Sequence, residues 1–274
     1  HWIWYRESGE KEMEGNLNGD KREGNWTYWF NNKAKEAEGN YKNDLQDSVW
    51  CFWHTNGATW KKGNFTEGKK NGKWTIWFEN GQKLQEGNYI AGKEEGFWES
   101  WYDSGADKDK GFFKEGKMNG FWKGWLPTKV LIYEGFYKQN LKDGEWKYYY
   151  DSGKIKEHGF YKSGKKHGHW ITWTNKGIKA TEGDYKEEKP EGLWIYYYDT
   201  GAKAYEKKFK NGQLTGKSKA WYENGSKENI TSYKILKNKK SKLTESKPHG
   251  KWIYYDKNGT ITSQTKYKKG VRVD

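Results

Sequence analysis

A 24-residue period runs through almost the whole chain and constrains its fold more than any other feature. Nine tryptophans stand 24 residues apart, at Trp2, Trp26, Trp50, Trp74, Trp98, Trp122, Trp146, Trp170 and Trp194. Ser218 takes the next place, and Trp252 follows it by 34 residues. Eleven such units and one ten-residue insertion account for all 274 residues. Repetition of this kind predicts an array of similar supersecondary units.

One unit, residues 73–96, has the pattern of a β-hairpin with its onward connection. Residues 74–78 mix aromatic and β-branched side chains, 79–81 are Glu-Asn-Gly, and 83–89 form the return strand before the Ala-Gly turn at 91–92. We therefore predict an all-β fold, an elongated, single-layer antiparallel β-meander solenoid of 11 tandem hairpins. A single array is expected over residues 1–274, with the insertion within 233–248 and units starting near residues 1, 25, 49, 73, 97, 121, 145, 169, 193, 217 and 251.

Aromatic residues take the place of a conventional aliphatic core. They supply 19 of the 32 percentage points of hydrophobic residues, whereas compact domains draw mainly on aliphatic side chains. Folding the hairpin about Asn80-Gly81 brings Trp74 opposite Gly87, so we expect the indole to lie flat over that glycine. The structural repeat positions are Trp26, Trp50, Trp74, Trp98, Trp122, Trp146, Trp170, Trp194, Gly39, Gly63, Gly87, Gly111, Gly135, Gly159 and Gly183.

A second aromatic position follows each repeat tryptophan by three residues. In a regular strand, residues three apart point to opposite faces, so one layer cannot cover both sets of rings unless a bulge intervenes. A long apolar strip on a folded protein is typical of a binding surface. The densest rings are in the middle of the chain, and the predicted binding residues are Trp77, Trp101, Trp125, Tyr149 and Trp173.

The charge of the chain comes from lysine. The formal net charge is +14, and Arg6, Arg22 and Arg272 are the only arginines among 51 basic residues. Base and phosphate recognition favours the guanidinium fork, so sequence-specific nucleic-acid binding is not expected, whereas attraction to anionic surfaces is. The insertion carries a basic cluster that either caps the array or docks a partner. Its residues are Lys237, Lys239, Lys240 and Lys242.

Catalytic and metal-binding patterns are not found in the sequence. The repeated carboxylates recur at one place of the unit, which indicates partners for nearby lysines; they are Glu14, Glu38, Glu86, Glu134, Glu182 and Glu206. His167 and His169 have the spacing of metal ligands but lack a third ligand nearby. The lone Cys51 has no cysteine to pair with. We therefore expect no enzymatic activity, no cofactor and no metal.

The recurring motif resembles the MORN repeat. The pattern is G-x-W-x-x-[WY]-[YF]-x-x-[NS]-G, then E-G-x-[YF]-x-x-G-K-x-x-G, and it is clearest in GKKNGKW at 68–74 and GKKHGHW at 164–170. It is most similar to the variant form of bacterial proteins labelled YwqK-type antitoxins. The resemblance implies a single-layer antiparallel sheet that serves as a scaffold and protein-binding platform, with lipid binding in some members. It does not imply an antitoxin activity.

Three functions remain open from the sequence. The first is a non-catalytic scaffold that binds other proteins in a bacterial cell-envelope or surface assembly. The second is a carbohydrate-binding array that stacks sugars on the aromatic ladder, and the third is a peripheral binder of anionic membranes; a toxin-neutralising role is the remaining alternative. An extracytoplasmic location is expected, with the cytoplasm as the alternative. The chain begins at His1 without an initiator methionine, which favours a processed or truncated amino terminus.

Overall fold

The computed structural model describes residues 1–237 and 243–274, and these residues form 26 strands of an antiparallel sheet. The chain divides into two compact units, His1–Leu141 and Lys142–Asp274. No helix occurs among the described residues, and hence none that is long and apolar enough to cross a membrane. In both units successive strands pair in antiparallel fashion, so the predicted all-β meander is confirmed. The extent of a single array remains a prediction.

The strands of the first unit mostly span eight or nine residues. They are β1 (Trp2–Tyr5), β2 (Lys11–Asn18), β3 (Lys21–Trp29), β4 (Lys35–Lys42), β5 (Leu45–Trp53), β6 (Thr59–Thr66), β7 (Lys69–Trp77), β8 (Lys83–Ile90), β9 (Lys93–Trp101), β10 (Asp107–Lys114), β11 (Lys117–Met118), β12 (Gly120–Trp125) and β13 (Leu131–Lys138).

The second unit repeats this pattern. Its strands are β14 (Leu141–Tyr149), β15 (Ile155–Lys162), β16 (Lys165–Trp173), β17 (Lys179–Lys186), β18 (Lys189–Tyr197), β19 (Lys203–Lys210), β20 (Gln213–Leu214), β21 (Gly216–Trp221), β22 (Lys227–Lys237), β23 (Thr244–Pro248), β24 (Gly250–Tyr255), β25 (Ile261–Lys268) and β26 (Val271–Arg272).

The turn residues act as the sequence predicts. At the tip of the β7–β8 hairpin, Gly81 has φ +82° and its N–H donates to the carbonyl of Phe78 at 3.0 Å. Between β8 and β9, Ala91 and Gly92 both have positive φ and join the paired residues Ile90 and Lys93, which is the geometry of a two-residue type I′ turn. Strand β7 begins at Lys69, earlier than expected, because residues 69–71 pair with β6 of the preceding hairpin.

A β-bulge recurs in the strands just before the repeat tryptophan. Gly63 pairs with Trp74 and Asn64 pairs with Asn71, so residues 72 and 73 of β7 have no partner on β6 and form a β-bulge. Gly72 has φ +73°, in the left-handed region that glycine adopts at little cost. The glycine of the G-x-W motif is therefore the bulge residue, and Ser48 takes this conformation in the one hairpin that lacks it.

Repeat tryptophans such as Trp74 place their indole over the preceding hairpin. The register pairs Trp74 with Gly87 as predicted, but the expectation that the ring covers Gly87 was wrong. A Cβ on Gly63 would lie 2.1 Å from Cδ2 of Trp74, whereas one on Gly87 would meet Trp98 at the same distance. The ring leans towards Gly63 because its Nε1–H donates to the carbonyl of Asn64 at 3.0 Å.

These indoles build the core of each unit on one side of the sheet, which we call the indole face. Trp74 is 1% exposed, and neighbouring rings meet it edge to face, with centroids 5.0 Å away for Phe65 and 6.3 Å away for Tyr89. Edge-to-face contacts of this kind stabilise by about 0.5–1.5 kcal/mol a pair beyond area burial. Buried tryptophans in the same role are Trp26, Trp50, Trp98, Trp122, Trp146, Trp170 and Trp194.

Candidate functional site

The predicted binding rings lie on the other side of the sheet, which we call the ion-pair face. Residues 74–76 pair with β8 without interruption. A bulge follows between Ile76 and Trp77, but its extra residue, Leu84, is on the return strand, so the alternation of side chains along β7 is kept. Trp74 and Trp77 therefore point to opposite faces, as the parity argument predicts. All five predicted binding rings are half-buried; Trp77, Trp101 and Trp125 belong to the first unit, and Tyr149 and Trp173 to the second.

Lysine ammonium groups cover several rings on this face. The Nζ of Lys83 lies 5.5 Å from the ring centroid of Trp101, and Lys110 lies 6.0 Å from that of Trp125. A cation at this distance is attracted by the negative face of the ring. Lysine side chains therefore interrupt the aromatic strip, and these indoles do not present a continuous row of open ring faces.

The repeated glutamates pair with the same lysines, as the sequence indicates. Glu86 accepts hydrogen bonds from Thr75 and Lys83 at 2.9 Å, and Lys73 lies 2.8 Å from its carboxylate. Partial burial alone would raise the pKa of Glu86, but these three donors lower it to about 2. A carboxyl with this pKa holds no proton to donate at neutral pH. Equivalent pairs are Lys11–Glu14, Lys35–Glu38, Lys179–Glu182 and Lys203–Glu206. Glu134 pairs instead with Lys123 across the strands, and Leu131 stands at the place of Lys83 in its hairpin.

In several hairpins the residue after the ring ties that hairpin to the next one. Side chains at this place donate to the main-chain carbonyl of the following ring residue, as His54 does to Trp77 at 3.1 Å and Tyr102 to Trp125 at 2.9 Å. The same bond joins Tyr150 to Trp173 in the second unit at 2.7 Å. These polar side chains near the rings therefore stabilise the contact between successive hairpins.

Two pairs of phenylalanines on successive hairpins lie on the ion-pair face of the first unit; we call them together the phenylalanine patch. It consists of Phe97, Phe112, Phe121 and Phe136. Phe97 pairs with Phe112, and Phe121 with Phe136, at centroid distances of 5.2 and 5.0 Å. Phe97, Phe112 and Phe136 are each about 45% exposed.

Sequence reasoning missed this patch because its residues fall outside the aromatic consensus. They stand just before the repeat tryptophan and just after the repeat glycine, where the preceding hairpin has Lys73 and Asn88. The signal that could have found it is the replacement of polar residues by phenylalanine at cross-strand partners of two successive hairpins. Trp101 and Trp125 lie on the same face of the same strands.

The remaining candidate sites have separate positions. The imidazole Nδ1 of His169 lies 3.0 Å from the carboxylate of Asp184, and no group of three or more metal-ligating side chains occurs in residues 1–237 and 243–274. Strand β22 ends at Lys237 and pairs with β23, so the insertion begins as a hairpin. Lys239, Lys240 and Lys242 lie outside the described residues.

Comparison with solved structures adds no argument about fold or function. A crystal structure of TcdB2-TccC3-Cdc42 shares 10% identity over 97% of this chain and 16% of that chain, with a TM-score of 0.20. The Photorhabdus luminescens Tc holotoxin pore with a TccC3 mutation shares 9% identity over 98% of this chain and 16% of its own, with a TM-score of 0.19. This chain therefore spans less than a fifth of those chains. No curated protein matches it.

A family model agrees with the repeat seen in the structure. The model described as MORN repeat variant matches residues 70–91, 142–163, 190–211, 214–234 and 248–269. Each segment from the first unit or the regular part of the second covers a strand with its repeat tryptophan and the following return strand, as in β7 and β8. These five matches cover less than half of the chain, and together with the hairpin geometry they support a repeat-scaffold protein.

Proposed function

We propose that this repeat scaffold is non-catalytic and binds another protein through the phenylalanine patch. The exposure of paired Phe97 and Phe112 on the first unit carries this proposal. Exposed apolar clusters rimmed by polar groups are typical of protein interfaces, and aromatic residues are enriched at their centres. Lys110 and Glu99, which form an ion pair at 3.0 Å, supply such a rim beside the patch.

The charge of the chain indicates the kind of partner. With a formal net charge of +14, two copies of the chain repel each other, whereas an acidic protein is attracted. The proposed partner therefore presents an apolar strip within a net negative surface. The proposed setting, a bacterial cell-envelope or surface assembly, rests on the family resemblance alone.

The cation contacts weigh against the carbohydrate alternative at two predicted positions. Sugar stacking needs an open ring face, and the ammonium groups of Lys83 and Lys110 lie over Trp101 and Trp125. The membrane alternative needs lysines that are available to anionic lipid, and on this face Lys83 and Lys110 pair with carboxylates.

The test exchanges the patch for the residues of the preceding hairpin. A variant carrying Phe97→Lys, Phe112→Asn, Phe121→Lys and Phe136→Asn should keep the far-ultraviolet β spectrum and lose the partner. The control is Leu193→Lys, which removes an isolated leucine that is 50% exposed in the second unit. The partner is identified by quantitative mass spectrometry of material retained by the native chain, and is then purified and titrated at two salt concentrations.

The outcomes are distinct. Binding of a purified acidic protein to the native chain and to Leu193→Lys, with at least a tenfold loss in the patch variant, supports the proposal. Equal binding by the patch variant contradicts it. A variant with Trp77, Trp101 and Trp125 all changed to Thr tests the ring positions that the sequence predicts. Selective loss in that variant would place binding on the ring row instead.

A further inference from the structure

The indole face carries a built-in cation in four hairpins, at Arg22, Lys70, Lys142 and Lys166. The side chain four residues before the repeat tryptophan reaches over the ring pair, so that Nζ of Lys70 lies 4.6 Å from the centroids of both Trp74 and Tyr89. Lys166 lies 3.9 Å from Trp170 in the second unit. The recurring ring pair is therefore a receptor for an ammonium group.

Three hairpins of the first unit lack this cation, because Gln46, Glu94 and Met118 occupy the positions that correspond to Lys70. Of these three residues, Glu94 alone carries a negative charge. Burial raises the pKa of the Tyr89 phenol, and the nearby charge of Glu94, whose carboxylate accepts a hydrogen bond from this phenol, raises it further, to about 12. A negative group thus stands where other hairpins place a positive one.

The side chains across the sheet also become smaller at this place. Cross-strand partners on the indole face form a row that runs across successive strands. In the early hairpins this row contains large side chains such as Tyr28 and Phe52, and further along it contains a run of small or polar residues. The members of that run are Gln85, Ser100, Asp109 and Gly124. Because these residues stand where other hairpins have large side chains, a cavity of about 330 Å³ is left over the strands.

The cavity has aromatic walls, and among the described residues its lining includes acidic side chains but no basic one. Phe113 lies between Trp98 and Trp122, with centroid distances of 5.7 and 5.2 Å. The hydroxyl of Tyr133 donates to Asp109 at 2.5 Å, and Gly124 makes room for that ring because a Cβ there would lie 2.2 Å from it. Glu94 and Asp109 both line the cavity.

We propose that this cavity binds an organic cation, a primary ammonium or guanidinium group on an alkyl chain. The same kind of ring pair accepts Lys70 within the chain, and two carboxylates replace the internal positive charge. Its volume is at the lower end of small-ligand sites, which suits one lysine or arginine side chain or a free amine. The cavity is on the indole face, so the proposal does not depend on the phenylalanine patch.

The test uses defined probes and saturation-transfer NMR on the full chain. Nα-acetyl-lysinamide, Nα-acetyl-argininamide and n-butylammonium should bind, whereas the neutral Nα-acetyl-norleucinamide should not. Glu94→Lys installs the internal cation of the regular hairpins and should weaken binding of the cations at least tenfold. Glu94→Gln keeps the shape of the side chain and should weaken it severalfold. Glu79→Lys makes the same charge change at an exposed hairpin tip and should leave binding unchanged.

The probes also separate the two sources of the cation. Tighter binding of the lysine and arginine derivatives than of n-butylammonium assigns a protein side chain, and equal binding assigns a small amine; both support a cation site. Equal binding of the norleucine derivative overturns the proposal, as does undiminished binding by both folded Glu94 variants. Retention of the fold is checked by amide chemical shifts.

Discussion

Two neighbouring hairpins of the second unit show how the repeat glycine and tryptophan depend on each other. In one, Trp194 is 5% exposed, lies 2.4 Å from where a Cβ on Gly183 would be, and donates to the carbonyl of Asp184 at 3.0 Å. In the next, Lys207 stands at the glycine position and Ser218 at the tryptophan position. The side chain of Ser218 is buried and its hydroxyl makes no hydrogen bond in the described structure.

In this hairpin both positions have changed, whereas in the last hairpin Thr231 takes the glycine position and a half-buried Trp252 is kept. The ammonium of Lys207 lies 4.8 Å from the ring of Tyr205, so a long side chain occupies the space over the strand that an indole takes elsewhere. A cavity of about 240 Å³ lined by Tyr205, Ser218 and Trp252 remains. The packing unit of the regular hairpins is thus a glycine on one strand and an indole on the next.

The largest expected effect comes from breaking the regular pair. Gly183→Val places carbon atoms where the indole of Trp194 lies, so the ring must leave, and we expect a loss of about 3–5 kcal/mol in the free energy of unfolding, as for removal of a buried tryptophan. Lys207→Val at the same place in the next hairpin should cost less than about 1 kcal/mol. Urea unfolding of both variants measures the difference.

A double-mutant cycle is the control for this prediction. In a Trp194→Ser background, Gly183→Val should cost much less, because no ring remains to be displaced. Additive free-energy changes would show that glycine and indole act separately, and would contradict the pairing inferred from the two hairpins.

A smaller effect concerns the acid sensitivity of regular hairpins. Glu86 has a regular ion-pair position, whereas the corresponding residues in the last hairpins are Ile230 and Gln264. Because three donors lower the pKa of Glu86 from 4.5 to about 2, the stability it provides is present above pH 4.5 and lost as the pH falls towards 2. We expect this contribution to be on the order of 2 kcal/mol.

Glu86→Gln should therefore flatten the dependence of the unfolding free energy on pH between 4.5 and 2. The matched control is Glu79→Gln at the exposed tip of the same hairpin. An unchanged slope in Glu86→Gln would show that the lysine and threonine contacts of this carboxylate do not stabilise the folded state.

The sequence predicted the repeat, the turns and the register because each depends on residues close in the chain or on a fixed period. The pairing of Trp74 with Gly87 follows from the turn alone. Which glycine the indole covers does not follow from the turn, because Trp74 also pairs with Gly63 on the other neighbouring strand. The choice between Gly63 and Gly87 depends on the bulge at Gly72. The glycine two residues before each tryptophan is the signal that could have indicated this bulge.

The two candidate surfaces were harder to predict, for physical reasons. The phenylalanine patch depends on cross-strand partners that the consensus leaves variable, such as Phe121 and Phe136. The cavity depends on a row that crosses five strands, from Gln85 to Tyr133, so no single repeat contains it. Whether Trp77 and the four other predicted rings bind a partner remains a prediction.

The smallest expected effect comes from restoring the regular pair where it is absent. Lys207→Gly together with Ser218→Trp should raise the free energy of unfolding by about 1–2 kcal/mol, because an indole fills the cavity and covers the new glycine. Its N–H has an acceptor available: the carbonyl of Lys208 accepts the N–H of Thr215, and the corresponding carbonyl of Phe112 accepts both the N–H of Asn119 and the indole N–H of Trp122. Ser218→Trp alone should instead cost about 1–3 kcal/mol, since the side chain of Lys207 blocks the ring, and Lys207→Gly alone should cost about 0.5–1 kcal/mol. Urea unfolding of the three variants measures the coupling, and equal costs in the single and double variants at position 218 would show that something other than residue 207 excludes the indole there.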